Sequence, residues 1–173
     1  MPSCGCYHNY SLSRTGSSQY HLSLGIEGDV DLGAMLIWSG LASSASATAA
    51  FFGAEYSLEG VNDEGALRRY LNLLNSSVLV DLHPALNECY ALGPYTTFDA
   101  EKSANRTDLG ELLYQAKYWN SRSASEALLK RLLAFVAQHP TLRNVDCIVP
   151  APKSDTSTPD LPAQWARDVA MNQ

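Results

Sequence analysis

Positive charge is scarce in the first hundred residues. Only Arg14, Arg68 and Arg69 stand there against ten carboxylates, while the rest of the chain carries nine bases and eight acids. With a formal net charge of -6, this distribution argues against general nucleic-acid binding, which rests on a surplus of Lys and Arg facing phosphates. Any anion site is expected late in the chain. Cysteine is sparse too: Cys4, Cys6, Cys89 and Cys147 are too few and too scattered for a disulfide framework. A reducing, cytoplasmic compartment is therefore expected. The opening MPSCGCYHNY lacks both a basic stretch and an apolar run, so it does not read as a signal peptide. The sequons at Asn9, Asn75 and Asn105 carry no weight in that compartment.

Charge of either sign is thin. Charged residues make up 17% of the chain and apolar ones 46%, where an average soluble domain has about 25% charged residues. The apolar content excludes general disorder, and the low charge suggests that part of the surface is covered by something else. No Walker loop, Rossmann glycine fingerprint or serine-hydrolase elbow is present. From Leu32 to Ala54 there is no charge at all, a length that could cross a bilayer. The stretch nevertheless contains Ser39, Ser43, Ser44, Ser46, Thr48 and three glycines, has Asp31 and Glu55 as flanks, and lacks the juxtamembrane Lys or Arg that orients a span. A buried strand followed by a small-residue loop or helix is expected there, with no membrane partner.

The 173 residues are enough for one domain of about 100 to 150 residues and a small appendage. Residues 20–26 (YHLSLGI) and 32–38 (LGAMLIW) read as two strands of a hairpin. The Ala- and Ser-rich run that follows fits either close packing or a connector. From Asn62 a helix is expected, with Leu67, Tyr70, Leu71 and Leu74 on one stripe, ending near Asn75. SVLVDL (77–82) reads as a strand closed by His83 and Pro84. Asp108 with Glu111, and Ser123 with Glu126, give capping-box patterns for two further helices, the second closed by Pro140. VDCIV (145–149) reads as a strand buried in a parallel sheet, and Pro162 opens a last helix carrying Trp165, Ala166, Val169 and Ala170. This order predicts an α/β fold with a parallel sheet over 61–173, preceded by a β-rich segment over 1–60.

The expected strand at 145–149 runs into PAPKSDTSTPD. In open α/β sheets, ligands bind beyond the carboxyl ends of strands, where loop amides and a helix N-terminus attract anions. Lys153, Ser154, Thr156, Ser157 and Thr158 are phosphate-binding types; taken alone, the run also reads as a proline-rich surface loop. In order along the chain stand CYALGPYTTFD, LGELLYQAKYW with its Lys117-Tyr118 pair, a long helix, and VDCIVPAP. This order resembles the ComF-type phosphoribosyltransferases over about residues 88–173. The resemblance implies a type I phosphoribosyltransferase fold with an N-terminal hood, a site for 5-phosphoribosyl 1-diphosphate or pyrophosphate, and magnesium. It makes Ala151, Pro152, Lys153 and Ser154 the pyrophosphate-loop candidates, with no catalytic residue assigned. The family's acidic pair with a Thr- and Gly-rich turn has no counterpart before Gln173, so this chain alone is expected to be inactive in transfer. Roles in nucleotide-linked defence or DNA uptake follow from the wider family.

The competing expectation is a non-catalytic module whose exposed sheet edge and low-charge Ala/Ser surface are covered by a protein partner or by another copy. Other candidates are weaker. Cys4, Cys6 and His8 offer three ligands where a structural zinc site wants four, and His21, His83 and His139 are isolated from one another. Cys147 is expected as inert core, and Glu27, Asp29 and Asp31 as a solvated turn.

Overall fold

The computed structural model describes residues 3–27, 31–48, 53–75, 78–81, 89–98, 103–152 and 160–172. The chain divides into two compact units, 1–91 and 92–173.

The first unit is built on an antiparallel sheet. Strands β1 (Ser3–Arg14) and β2 (Gln19–Glu27) form a hairpin. Its turn is closed by the Thr15 and Gly16 amides, which donate to the Gln19 carbonyl at 2.9 and 3.2 Å. Helix α1 (Leu32–Trp38) precedes β3 (Ser44–Thr48) and β4 (Ala54–Glu59). Helix α2 (Glu64–Leu74), β5 (Val78–Asp81) and β6 (Tyr90–Ala91) follow. The strand order is β3-β4-β2-β1-β5-β6.

Side chains alternate across the pleat. Tyr20, Leu22 and Leu24 of β2 and Tyr56 and Leu58 of β4 are buried on one face. Both helices reach that face, since Gly33 of α1 lies against the Tyr56 ring and the Tyr20 hydroxyl donates to Glu64 Oε2 of α2 at 2.9 Å. Leu67, Tyr70, Leu71 and Leu74 of α2 are buried, as the stripe predicts. Each such side chain stabilises the fold by roughly 1.5–3 kcal/mol through burial. The other face carries Ser11, Ser13, His21, Ser23, Glu55 and Ser57, none of them buried.

The expected parallel sheet is not what forms: every strand pair among the described residues is antiparallel. Strands joined by short connections return alongside their predecessors, whereas parallel pairing requires a crossover of a dozen or more residues. The hairpin partner expected at 32–38 is likewise a helix. Leu32, Met35 and Leu36 fall at helical spacing and are all buried. Asp31 caps them, its Oδ1 accepting from the Ala34 amide at 3.0 Å. The Ala/Ser run holds β3 and the start of β4, and β5 lies within the expected strand at 77–82.

The second unit holds the short hairpin β7 (Thr96–Phe98) and β8 (Ala104–Arg106). Helices α3 (Asp108–Tyr118), α4 (Arg122–Gln138) and α5 (Leu161–Met171) follow. Ala116, Ala124, Leu128 and Leu161 form its core, with Leu109, Leu112, Leu113 and Trp165 packed against it. The helices begin slightly earlier than the capping-box patterns suggest, at Thr107 and Ser121. Thr107 Oγ1 accepts from the Gly110 amide at 3.0 Å and donates to the Pro94 carbonyl at 2.6 Å, so one hydroxyl caps α3 and holds the residues leading into β7. After α4 a single turn of 3-10 helix (Leu142–Asn144) leads into residues 145–152, which form no regular element. VDCIV is thus not a strand here. An apolar β-branched run needs neighbouring strands to pair with, and none of the described residues supplies one.

Candidate functional site

The predicted pyrophosphate loop is only partly visible. Ala151 and Pro152 are exposed and close an irregular segment, while Lys153 and Ser154 lie outside the described residues. The nearby N-terminus of α5 already has an anionic cap, because Asp160 Oδ1 accepts from the Ala163 amide at 3.0 Å. That carboxylate occupies the position an incoming phosphate would use at the first turn. For magnesium and zinc alike, no group of three His, Cys, Asp or Glu among the described residues is arranged to hold a metal ion. Cys4, Cys6 and His8 lie in β1.

The isolated histidines separate by environment. His21 lies on the polar sheet face, 3.9 Å from Glu55. His139 caps the end of α4 and is fully buried. Its Nδ1 accepts from the amides of Thr141 and Leu142 at 3.3 and 3.2 Å, which places its ring proton on Nε2 and turns the chain into the 3-10 segment. His83 lies outside the described residues. Cys147, expected in a strand core, is exposed.

The residues after His139 build a feature absent from the sequence reading. An apolar trough of about 410 Å³ is lined by Leu132 and Val136 of α4, Trp165 and Val169 of α5, and Val145 and Ile148 of the irregular segment. Its floor is fixed from two sides: Val136 and Val169 are buried, and the Trp165 indole Nε1 donates to Ser125 Oγ of α4 at 3.0 Å. Its rim is open, with Val149 82% exposed and Val145 37% exposed. Among the described residues, Val145 to Pro152 make no backbone hydrogen bond to other backbone groups. A β-branched run whose amides and carbonyls have no backbone partner among the described residues, beside an apolar trough, can accept an extended peptide, pairing its backbone while the trough takes alternate side chains. The sequence carried one signal for this site, the Trp165, Ala166 and Val169 stripe of the last helix, but periodicity could not tell which part of the stripe stays uncovered.

A second hollow, of about 620 Å³, lies between the start of α4 and α5, with Asn120, Ser125, Gln164 and Asp168 lining it beside Ala116, Leu129 and Leu161. Arg122 and Glu126 at its mouth pair with each other at 2.8 Å in strongly exposed positions, and exposed i,i+4 pairs of this kind contribute only about 0.3–0.5 kcal/mol. On the α3 side, Tyr114 contacts Tyr118 and Trp119 at ring separations of 4.9 and 5.7 Å, and Arg106 lies 3.7 Å above the Tyr114 ring.

No family model, curated protein or solved structure matches this chain. No helix among the described residues is long and apolar enough to cross a membrane; α1, the helix within the uncharged stretch, has seven residues.

Proposed function

We propose that this chain is a non-catalytic protein-interaction module, and that its second unit binds an extended apolar segment of a partner protein alongside residues 145–149. The observation that carries this reading is the exposure of Val149, at 82%, in a β-branched run whose backbone has no ladder partner among the described residues and whose neighbour is an apolar trough. Leaving such a run in water forgoes the burial that its composition offers, at roughly 25 cal/mol per Å² of apolar surface. A partner strand supplies the missing ladder and the missing cover together. The test is selection of displayed random peptides on the purified chain, followed by affinity measurement on Ile148→Asp and Val149→Asp variants. Enriched peptides with alternating apolar residues, weakened at least about tenfold by either substitution (about 1.4 kcal/mol), support the module. Failure to enrich, or binding indifferent to both substitutions, defeats it.

A second reading has one specific observation in its favour. Helix α3, ending in Lys117-Tyr118, and helix α4 precede the Val-Pro-Ala-Pro run in the order that the phosphoribosyltransferase resemblance implies, although the strand it implies before that run is not formed. On that reading the chain binds pyrophosphate or phosphoribosyl diphosphate with magnesium, without transferring ribose phosphate by itself, and Lys153 supplies the charge. Calorimetric titration with pyrophosphate and with 5-phosphoribosyl 1-diphosphate and magnesium separates the two. Heat that disappears in Lys153→Ala favours this second reading, and no heat with either ligand leaves the module.

A further inference from the structure

The outer strand of the six-stranded sheet carries none of the usual protection against pairing with another chain. Strand β3 reads Ser-Ala-Ser-Ala-Thr and ends the sheet order, with no strand among the described residues on its outer side. Natural sheets blunt such an edge with Lys, Pro, a bulge or a very short strand. The opposite edge follows that rule: β6 has two residues, and β1, which β5 covers only at Ser3–Gly5, has a register shift between Tyr7 and Asn9 and its Leu12 carbonyl accepting from Arg68 Nη2 at 3.4 Å. In contrast β3 has five residues in unbroken register with β4, contains no charge or proline, and sits within a stretch uncharged from Leu32 to Ala54.

The pattern of β3 is also its own complement. Ala45 and Ala47 pair with Leu58 and Tyr56, whose side chains are buried on the helix-bearing face. Ser44, Ser46 and Thr48 pair with Glu59, Ser57 and Glu55 and share the polar face. Antiparallel pairing of two copies about Ser46 sets Ser44 opposite Thr48 and Ala45 opposite Ala47. Hydroxyl then meets hydroxyl on one face, methyl meets methyl on the other, and no like charges oppose each other. Helix α1 packs against β3 and leaves Ile37 and Trp38 42% and 46% exposed, so the apolar surface beside this edge belongs to the same region. We infer that β3 is a self-association edge, on which a second copy of this chain pairs antiparallel about Ser46 and continues the sheet across a two-fold axis. A two-fold interface needs the same patch on both subunits, and this strand supplies it.

Sedimentation velocity of the full chain over a concentration series is the test. A reversible monomer–dimer equilibrium is expected. Ser46→Lys, which sets two cations against each other at the axis, weakens it at least about tenfold, whereas Ser23→Lys, on the same polar face but paired on both sides, with Ser11 and Glu55, leaves it unchanged. Far-UV circular dichroism and melting temperature establish that both variants are folded. Because a lysine in β3 could simply unfold the strand, Ser46→Cys provides an independent arm. Oxidation by diamide yields a disulfide-linked dimer whose proteolytic map shows the two introduced thiols joined to each other, and Ser23→Cys yields no corresponding link. A chain that stays monomeric at every concentration, or a dimer that persists in folded Ser46→Lys and lacks the cross-link, overturns the inference.

Discussion

Glu64 sits where three side chains meet. Its carboxylate accepts from Arg68 Nε at 2.8 Å and from the Tyr20 hydroxyl at 2.9 Å, tying the first turn of α2 to the buried face of β2. The Arg68 hydrogen bond first, and then that of Tyr20, hold the Glu64 carboxyl below its ordinary range. A depressed carboxyl contributes stability that is fully present above the ordinary carboxylate pKa and is lost as pH falls through the folded value. Glu64→Gln is therefore expected to melt lower than the parent chain at neutral pH and to lose less on acidification from about pH 5 downward, as followed by thermal denaturation at a series of pH values. Parallel acid limbs would mean that Glu64 contributes nothing to the pH dependence. The same bond raises the Tyr20 phenol above its ordinary value, so its contribution is present below that value and lost at strongly alkaline pH. At this scale the sequence is informative: spacing alone sets Leu67, Tyr70, Leu71 and Leu74 on one apolar stripe, and all four are buried. The Tyr20–Glu64 bond was not legible, because 44 residues separate the pair and only the sheet brings them together.

Among the elements, helices α2 to α5 and the strands β2 and β5 were legible, and helix α1 and the direction of strand pairing were not. Helical spacing is a local property, and α2, α3, α4 and α5 lie where the apolar stripes and capping residues place them. The caps shifted by one or two positions, because several polar residues precede each helix and only the backbone decides which side chain reaches back. Thr107 illustrates what such a shift changes. Its hydroxyl caps α3 and also holds Pro94, so Thr107→Ala is expected to lower stability by about 1–2 kcal/mol, the upper part of the range for a lost N-cap. Thr107→Ser should restore most of it. Urea denaturation of the three chains measures both. The uncharged segment 32–38 misled for a different reason. Seven apolar and small residues satisfy strand and helix composition equally, and the deciding contacts are the Asp31 cap and the fit of Gly33 under Tyr56. Gly110 has a similar part in the second unit, where a side chain at its position would meet the Tyr95 carbonyl that precedes β7.

Across the whole molecule, the direction of strand pairing is what the sequence did not reveal. A β-branched run such as VDCIV, apolar apart from Asp146, resembles a buried parallel strand in composition, yet composition does not supply neighbours, and the run lies open beside a trough instead. The site assignment turned on the same point. A phosphate loop at Ala151 to Ser154 presupposes a strand end to hold it, whereas an open apolar run presupposes a partner to cover it. Hydrogen exchange at the amides of Asp146, Cys147, Ile148 and Val149, before and after addition of a peptide selected on the chain, distinguishes the two. Exchange near the unprotected rate is expected in the chain alone, with clear protection once the peptide is bound. Protection of these four amides in the chain alone would contradict the open run, because they would then already be paired as strand residues.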